Sequence, residues 1–498
     1  MPMASGFSHF RDFSKPVRSG NSPRMARIPL LTRPGSRYTE GEQRTNKTGM
    51  GMRGVWAGIG ILFSFLPGAA LPFPPDTSLR PEPRPVAAVT VSTQQGSHAV
   101  RTSLRPVARG ISQPVQAVAQ VQTVVDDTGF RQWIQRFQTR ARAAGISRNT
   151  LDRAFRNVRL NSTVIDRDRN QSEFSRALWD YLDTAVSPTR INNGRTAFSQ
   201  NQRLLQQIEA TYRVEAEVVT AIWGLESAYG NVRGDINIIE AMATLAYEGR
   251  RQEFFEAQLL DALRILQAGD VQPEQMSGSW AGAMGHTQFM PNSYLEHAVD
   301  ITGDGRRDIW SDNPADALAS TANYLRSFGW THGQPWGMEV VLPRGFDYAQ
   351  SGERIKQNVS QWNAMGVRLP DGGQLPDHGP SSILLPAGAE GVALVIFNNF
   401  HVIERYNTAD AYVIAVGHLS DRIAGGASFR ATWPRTDRAL TRDEREELQR
   451  RLTRAGFSTN GIDGIVGPET IEAVRRYQAS IGVVPDGYAS LRVLQRLR

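Results

Sequence analysis

From residue 128 onward, apolar side chains return every three or four positions, the repeat that lays one stripe along a helix. Phe130, Trp133, Ile134 and Phe137 form a first stripe, and Ile146, Leu151, Ala154, Phe155 and Val158 a second. The same repeat predicts helices over 174–186, 203–212, 215–229, 238–246 and 252–268, so this half of the chain reads as nearly all α. After Trp336 the pattern shortens. β-prone runs over 338–342, 382–385, 393–397 and 401–404 are separated by Gly, Pro and Asp, with one helix predicted over 354–362. Helix returns over 409–422, and Gly425-Gly426-Ala427-Ser428 opens a polar connection to a C-terminal unit with helices over 445–455, 469–480 and 488–497. The expected fold is mainly α (α+β): a helical domain with a small β-containing subdomain, followed by a three-helix module.

Ahead of the helical region, residues 1–49 are basic and without periodicity. Arg53 then precedes an apolar run over 55–66, which is broken by Pro67 and followed by Gly68-Ala69-Ala70. A basic start, an apolar run of about a dozen residues and a small-x-small site are the parts of a secretory signal peptide; a membrane span needs about 20 apolar residues. The expected order is a leader over 1–70 with the signal peptide at about 50–70, translation beginning at Met50 or Met52, and a disordered Pro/Gln/Ser-rich linker over 71–125. The helical domain is expected over 126–425, a linker over 426–437 and the C-terminal module over 438–498.

Charge changes this picture less than its total suggests. The net charge of +7 would point to nucleic acid or a membrane surface, but residues 1–70 hold ten basic and three acidic side chains and so carry all of it. No nucleic-acid partner is expected. The absence of Cys excludes disulfides, thiolate metal sites, Cys nucleophiles and a lipid-modified N-terminal Cys. The mature protein is therefore expected to be soluble and periplasmic, without a membrane span and not a lipoprotein. The sequence also has no HExxH metal pair, no GxSxG elbow and no GxxxxGK phosphate loop.

Two stretches hold candidate chemistry. In IWGLESAYG, residues 222–230, Glu226 projects within about 40° of Val219 and Ile222 on a helical wheel, and so lies on the apolar stripe of its own helix. Such a carboxyl is either a structural acid satisfied by an Arg or a backbone amide, or a general acid whose pKa burial has raised. Gly230 can end the helix in the left-handed conformation, leaving Glu226 in the last turn beside a cleft. The second stretch, GAMGHTQFMPNSY over 282–294, is a loop suited to close approach of backbone to a ligand, or an ordinary turn feeding the next helix.

Taken together, these residues resemble the lytic transglycosylases of the membrane-bound type B family, a branch of the lysozyme-like superfamily. The resemblance rests on E-S-x-x-G (Glu226, Ser227, Gly230), G-A-M-G-x-T-Q-F-M-P (282–291), A-N-Y-L (322–325) and R-Y-N (405–407), in family order over about 128–425. It departs at His286, where the family commonly has Gln and where a rim contact is expected. The resemblance implies cleavage of the β-1,4 bond between N-acetylmuramic acid and N-acetylglucosamine in peptidoglycan, with Glu226 as sole acid and base and a 1,6-anhydro product. Ordinary glycosidases need two carboxylates at a set separation. The resemblance further implies substrate contacts from Ser227, Met284 and Gln288, and a cleft lined by Tyr247, Tyr324, Tyr406 and Tyr412. A lysozyme-type muramidase that uses water and a non-catalytic wall-binding protein are the alternatives.

No cofactor is expected to be required, although structural calcium is considered. Asp300, Thr302, Asp304 and Asp308 occupy positions 1, 3, 5 and 9 of an EF-hand-like loop with Gly305 at 6; position 12 is Ser311, and Asp316 would close the site instead. A solvated Asp/Gly turn is the plainer reading. The C-terminal unit resembles the three-helix peptidoglycan-binding module of cell-wall enzymes through Leu448-Gln449, Gly456-Phe457, Asp463-Gly464, Gly467-Pro468-Glu469-Thr470, Ala473-Val474, Tyr477-Gln478 and Asp486-Gly487. Peptidoglycan is the expected partner.

Overall fold

The computed structural model describes residues 127–169 and 176–498; the leader, the signal peptide and the linker of 71–125 lie outside them. A helix that is apolar all round belongs inside a protein. In the helix Ala216–Ser227 every residue is buried except Glu217 and Glu226. Around it pack the helices Pro188–Gln200, Gln202–Tyr212, Ala315–Ser327 and Asp410–Ile423. The helices Ile238–Glu248 and Gln252–Ala268 form an antiparallel pair beside this group, joined to the first apolar stripe through Thr128–Ala143. Phe130, Trp133, Ile134 and Phe137 are all buried there, as their spacing predicts.

The β-subdomain is a three-stranded antiparallel sheet with Ala393–Ile396 between Gly337–Val340 and Ser382–Leu384. All four residues of the central strand are buried, and their alternation divides them between two cores. Leu394 and Ile396 join the main helical core, whereas Ala393 and Val395 join a smaller one with Phe346, Val359, Trp362 and Phe397. The sheet thus fixes the subdomain to the helices by burying both of its faces.

Two predicted elements differ from what forms. The run at 401–404 is not a strand but the middle of the helix Asn398–Tyr406, with Phe400, Val402 and Ile403 buried. Val402-Ile403 is β-prone locally, but burial of Phe400 and Ile403 at helical spacing outweighs propensities worth tenths of a kcal/mol per residue. The helix predicted over 354–362 is shorter, Val359–Ala364, because a capping box between Asn358 and Gln361 starts it. The helix Pro188–Gln200 was not predicted; its start signal is Ser187, whose side chain accepts from Arg190 N, followed by Pro at the first turn.

The C-terminal unit consists of Arg442–Arg454, Pro468–Ser480 and Leu491–Leu497 around Leu448, Leu452, Ala473, Val474, Val493 and Leu494. Its repeated Gln…Asp-Gly pattern has a physical basis. The Gln449 side-chain oxygen accepts from Asp463 N and Gly464 N, and Gln478 likewise accepts from Gly487 N, so a buried amide on each helix holds the turn that follows. The unit meets the rest of the chain through Arg475, which donates to Ser351 O at 2.9 Å, through Asp486, which accepts from Ala389 N at 2.9 Å, and through a paired Arg492–Glu390 contact.

Candidate active site

Glu226 sits in the last turn of its helix, and the chain reverses at once. Ala228, Tyr229 and Gly230 have φ of 50°, 61° and 85°, three left-handed residues in a row. For a residue with a side chain this costs about 1–2 kcal/mol. Packing holds the turn. The Tyr229 ring fills the space a side chain on Gly224 would need, a Cβ there falling 2.5 Å from the ring, and Tyr229 Oη donates to Arg190 O at 2.8 Å. Gly230 is required on a second count, since a Cβ would lie 2.5 Å from His286 Nδ1. The reversal thus begins at Ala228, two residues before the expected Gly230, and leaves the Glu226 carboxyl facing inward.

Tyr412 Oη donates to Glu226 Oε1 at 2.6 Å. Burial raises the carboxyl to about 7, and the Tyr412 bond pulls it the other way. The residue keeps partial exposure while its carboxyl is enclosed, as the floor of a cleft requires. The charge of Glu226 reaches three phenols. Burial first, and then that charge, pushes Tyr181, Tyr406 and Tyr412 upward, so all three remain protonated donors.

The second stretch docks against the same wall. Met284 and Phe289 close a hairpin through Met284 N to Phe289 O at 2.9 Å and Phe289 N to Met284 O at 3.0 Å. Tyr406 Oη donates to Thr287 O at 2.6 Å, fastening this loop to the helix Asn398–Tyr406. Gln288, at φ 55°, spends its amide hydrogens on Arg233 O and Gly285 O, while its buried Oε1 has no hydrogen-bond partner among the described residues. Ser227 is fully buried; its hydroxyl donates to His286 O and accepts from Gly230 N at 2.9 Å, tying the two stretches together.

His286 is not on the rim. It is 3% exposed, accepts from Trp223 Nε1 at 3.1 Å through Nδ1, and lies 2.7 Å from Ser311 O through Nε2, which assigns the proton to Nε2. Burial holds it below the ordinary imidazole range, so it stays neutral beside the Arg233 guanidinium.

Of the residues singled out from sequence, Glu226, Ser227, Met284, Gln288, Tyr406 and Tyr412 gather around this cleft. Tyr324 stands behind Tyr406, its ring 5.0 Å away and its hydroxyl bonded to Arg405 O. Tyr247 stands apart, edge-on to Phe130 and Trp133. Tyr181, Arg190, Tyr229 and Arg233 were not singled out. Tyr229 is inside the first motif and carried that much signal; Tyr181 comes from a helix whose approach to Glu226 no local pattern encodes.

In the Asp-rich loop, carboxylate oxygens of Asp300, Asp304 and Asp316 lie within 4.8 Å of one another. Asp316 accepts from Ile301 N, Thr302 N and Asp308 N, and Asp300 accepts from Gly303 N and Gly305 N. Asp308 instead caps Trp310 N and Ser311 N, and Thr302 Oγ1 bonds to Asp300.

A single enclosed acid among phenols, on a helical frame with a small sheet, defines the lysozyme-like class. The chain belongs to the transglycosylase SLT domain family, whose model matches residues 129–421, and a putative peptidoglycan binding domain matches 441–497. It is 34% identical over 251 residues to membrane-bound lytic murein transglycosylase B of Escherichia coli (strain K12), covering 49% of this chain and 66% of that protein. It is 48% identical to SltB3 of Pseudomonas aeruginosa, solved in complex with NAG-anhNAM-pentapeptide, with a TM-score of 0.72 over 74% of this chain and 99% of that one. The Escherichia coli lytic transglycosylase Slt35 in complex with calcium matches at 30% identity and a TM-score of 0.50 over 59% of this chain and 92% of that one.

Proposed function

We propose that this chain is a lytic transglycosylase that cleaves the β-1,4 bond between N-acetylmuramic acid and N-acetylglucosamine in peptidoglycan. The observation that carries the reading is Glu226, a lone carboxyl balanced near 7 and held by Tyr412. In its acid form Glu226 gives its proton to the glycosidic oxygen, and the C1–O bond breaks as the N-acetylglucosamine hydroxyl leaves. The resulting carboxylate then takes the proton of the muramyl 6-hydroxyl, whose oxygen closes on C1 to give the 1,6-anhydro ring and returns Glu226 to its acid form. A pKa near the working pH serves both transfers. Tyr412 orients the carboxyl and eases its ionised interval.

The residues of the Asp-rich loop fit calcium, which takes six to eight hard oxygen ligands. Asp300, Asp304 and Asp316 would hold it, with Thr302 and Asp308 shaping the turn; a bound ion would brace the segment leading into the Tyr324 helix. Titration of chelator-treated protein is expected to show calcium binding that Asp304→Asn removes. The C-terminal module over 438–498 would hold the enzyme on an insoluble polymer, raising its local concentration. The leader over 1–70 would carry it out of the cytoplasm into the periplasm, and no described helix is long and apolar enough to cross a membrane. N-terminal sequencing of the mature chain, expected to begin near Leu71, tests the export route.

Mass spectrometry of muropeptides after digestion tests the reaction. Anhydro-muramyl products are expected; products heavier by one water would instead establish a muramidase. Glu226→Gln is expected to lower turnover by at least ~10³-fold while the protein still binds sacculi; near-normal turnover would refute the assignment.

A further inference from the structure

Away from the Glu226 cleft, four titratable side chains from three segments converge. Glu353 lies between the 3₁₀ turn Tyr348–Gln350 and the helix Val359–Ala364, His401 and Glu404 lie on the helix Asn398–Tyr406, and Asp410 is the first residue of Asp410–Ile423. His401 and Glu404 are three apart, so both project from one face of their helix, with Nδ1 2.6 Å from Oε2. One donor atom each from Glu353, His401 and Glu404 lies within 4.8 Å of the others. The Glu353 carboxyl also touches those of Asp410 and Glu404.

Three carboxyl groups in contact cannot all ionise without a compensating charge; they either keep a proton or bind a cation. Among the described residues no Lys or Arg forms an ion pair with Glu353, Glu404 or Asp410; the group's one basic side chain is His401, in contact with Glu404. All four residues are half-buried, leaving a route for a small ion. An imidazole nitrogen beside carboxylate oxygens differs from the all-oxygen set of the Asp300 loop. Calcium and magnesium prefer oxygen alone, whereas imidazole with carboxylates suits zinc and its neighbours in the first transition row.

We propose that Glu353, His401 and Glu404 form a binding site for a divalent transition metal ion, zinc being the representative, with Asp410 as the adjoining third carboxylate and fourth side chain. Tetrahedral ligands about 2.0–2.2 Å from zinc stand about 3.3 Å apart. His401 Nδ1 and Glu404 Oε2, now at 2.6 Å, would need to separate by only roughly 0.7 Å, within the reach of a side-chain torsion. The site sits where three parts of the molecule meet. Glu404 is two residues from Tyr406 and Asp410 two from Tyr412, the two helices of the tyrosine wall. Glu353 is two residues from Ser351, which accepts from Arg475 of the C-terminal unit. An ion here would fasten the β-subdomain to that wall, whatever reaction the cleft performs.

The full chain, stripped with chelator and redialysed, should bind one zinc per molecule by calorimetry and by metal analysis, with an X-ray absorption signature of one nitrogen ligand and the remainder oxygen. His401→Ala and Glu353→Gln should each weaken uptake by at least about tenfold, while Asp304→Asn, in the separate Asp-rich loop, should leave it intact. Where His401→Ala fails to fold, as judged by circular dichroism, Glu353→Gln alone carries the comparison. Absence of stoichiometric zinc in the folded wild-type chain, or equal uptake by Glu353→Gln, would overturn the proposal.

Discussion

Glu226 combines two opposed demands. Burial makes it a usable acid near neutral pH, and the same burial makes its ionised form a burden on folding. With the carboxyl at about 7 in the folded chain and at 4.5 in the unfolded one, the folded chain binds the extra proton between those values. Stability linked to this group is therefore complete below about pH 4.5 and lost as pH rises through about 7. Glu226→Gln removes the ionisation, so it should match the wild type in acid and exceed it above pH 7 by up to ~3 kcal/mol, read from thermal unfolding at a series of pH values. Tyr412→Phe acts in the opposite sense, because it deletes the bond that favours the carboxylate. The alkaline limb of the kcat profile, where Glu226 loses its proton, should move to higher pH, while loss of the orienting bond lowers the plateau of kcat about tenfold. An unmoved profile would mean that Tyr412 only packs.

At the scale of single elements, the unusual backbone lies where the chemistry is. Among the described residues five non-glycine positions have positive φ, and three of them, Ala228, Tyr229 and Gln288, border the cleft. Strain of this kind persists only where surrounding contacts determine it, here the Gly224 notch and the Arg190 carbonyl. The C-terminal unit shows the converse, a polar side chain placed to relax a turn. Gln449→Leu would leave Asp463 N and Gly464 N without their acceptor inside a small core, and should cost the unit about 2–4 kcal/mol by denaturant unfolding. Its sequence motif of Gln followed by Asp-Gly is thus legible as a structural device before it is a binding one.

Across the whole molecule, the two parts meet through contacts of very different worth. Arg492 and Glu390 are more than half exposed and pair directly at the solvent-facing surface, so Arg492→Ala should change the melting temperature by the equivalent of no more than about 1 kcal/mol. Arg475, only 13% exposed, reaches Ser351 through two hydrogen bonds. Arg475→Ala should therefore show the larger effect in the same measurement, and the reverse order would mean that the interface is held elsewhere.

Periodicity by itself located most of the helical half, though not Pro188–Gln200, because a stripe of large apolar residues calls for burial on one face, and it located Glu226 as a carboxyl on the wrong face of its helix. The short motifs, through a glycine whose left-handed backbone is required at 230 and an amide at 288, marked both cleft stretches. Local pattern failed at 401–404, where Val402 and Ile403 favour a strand and the packing of Phe400 and Ile403 favours a helix. It also gave no hint that His286 is buried rather than on a rim, that Tyr181 reaches Glu226 from another helix, or that Tyr247 lies with Phe130 instead of the tyrosine wall. Each of these depends on which residues distant in sequence become neighbours, and the field around a carboxyl is a sum over such neighbours. The sequence named the acid; only the tertiary structure set the proton affinity that makes it one.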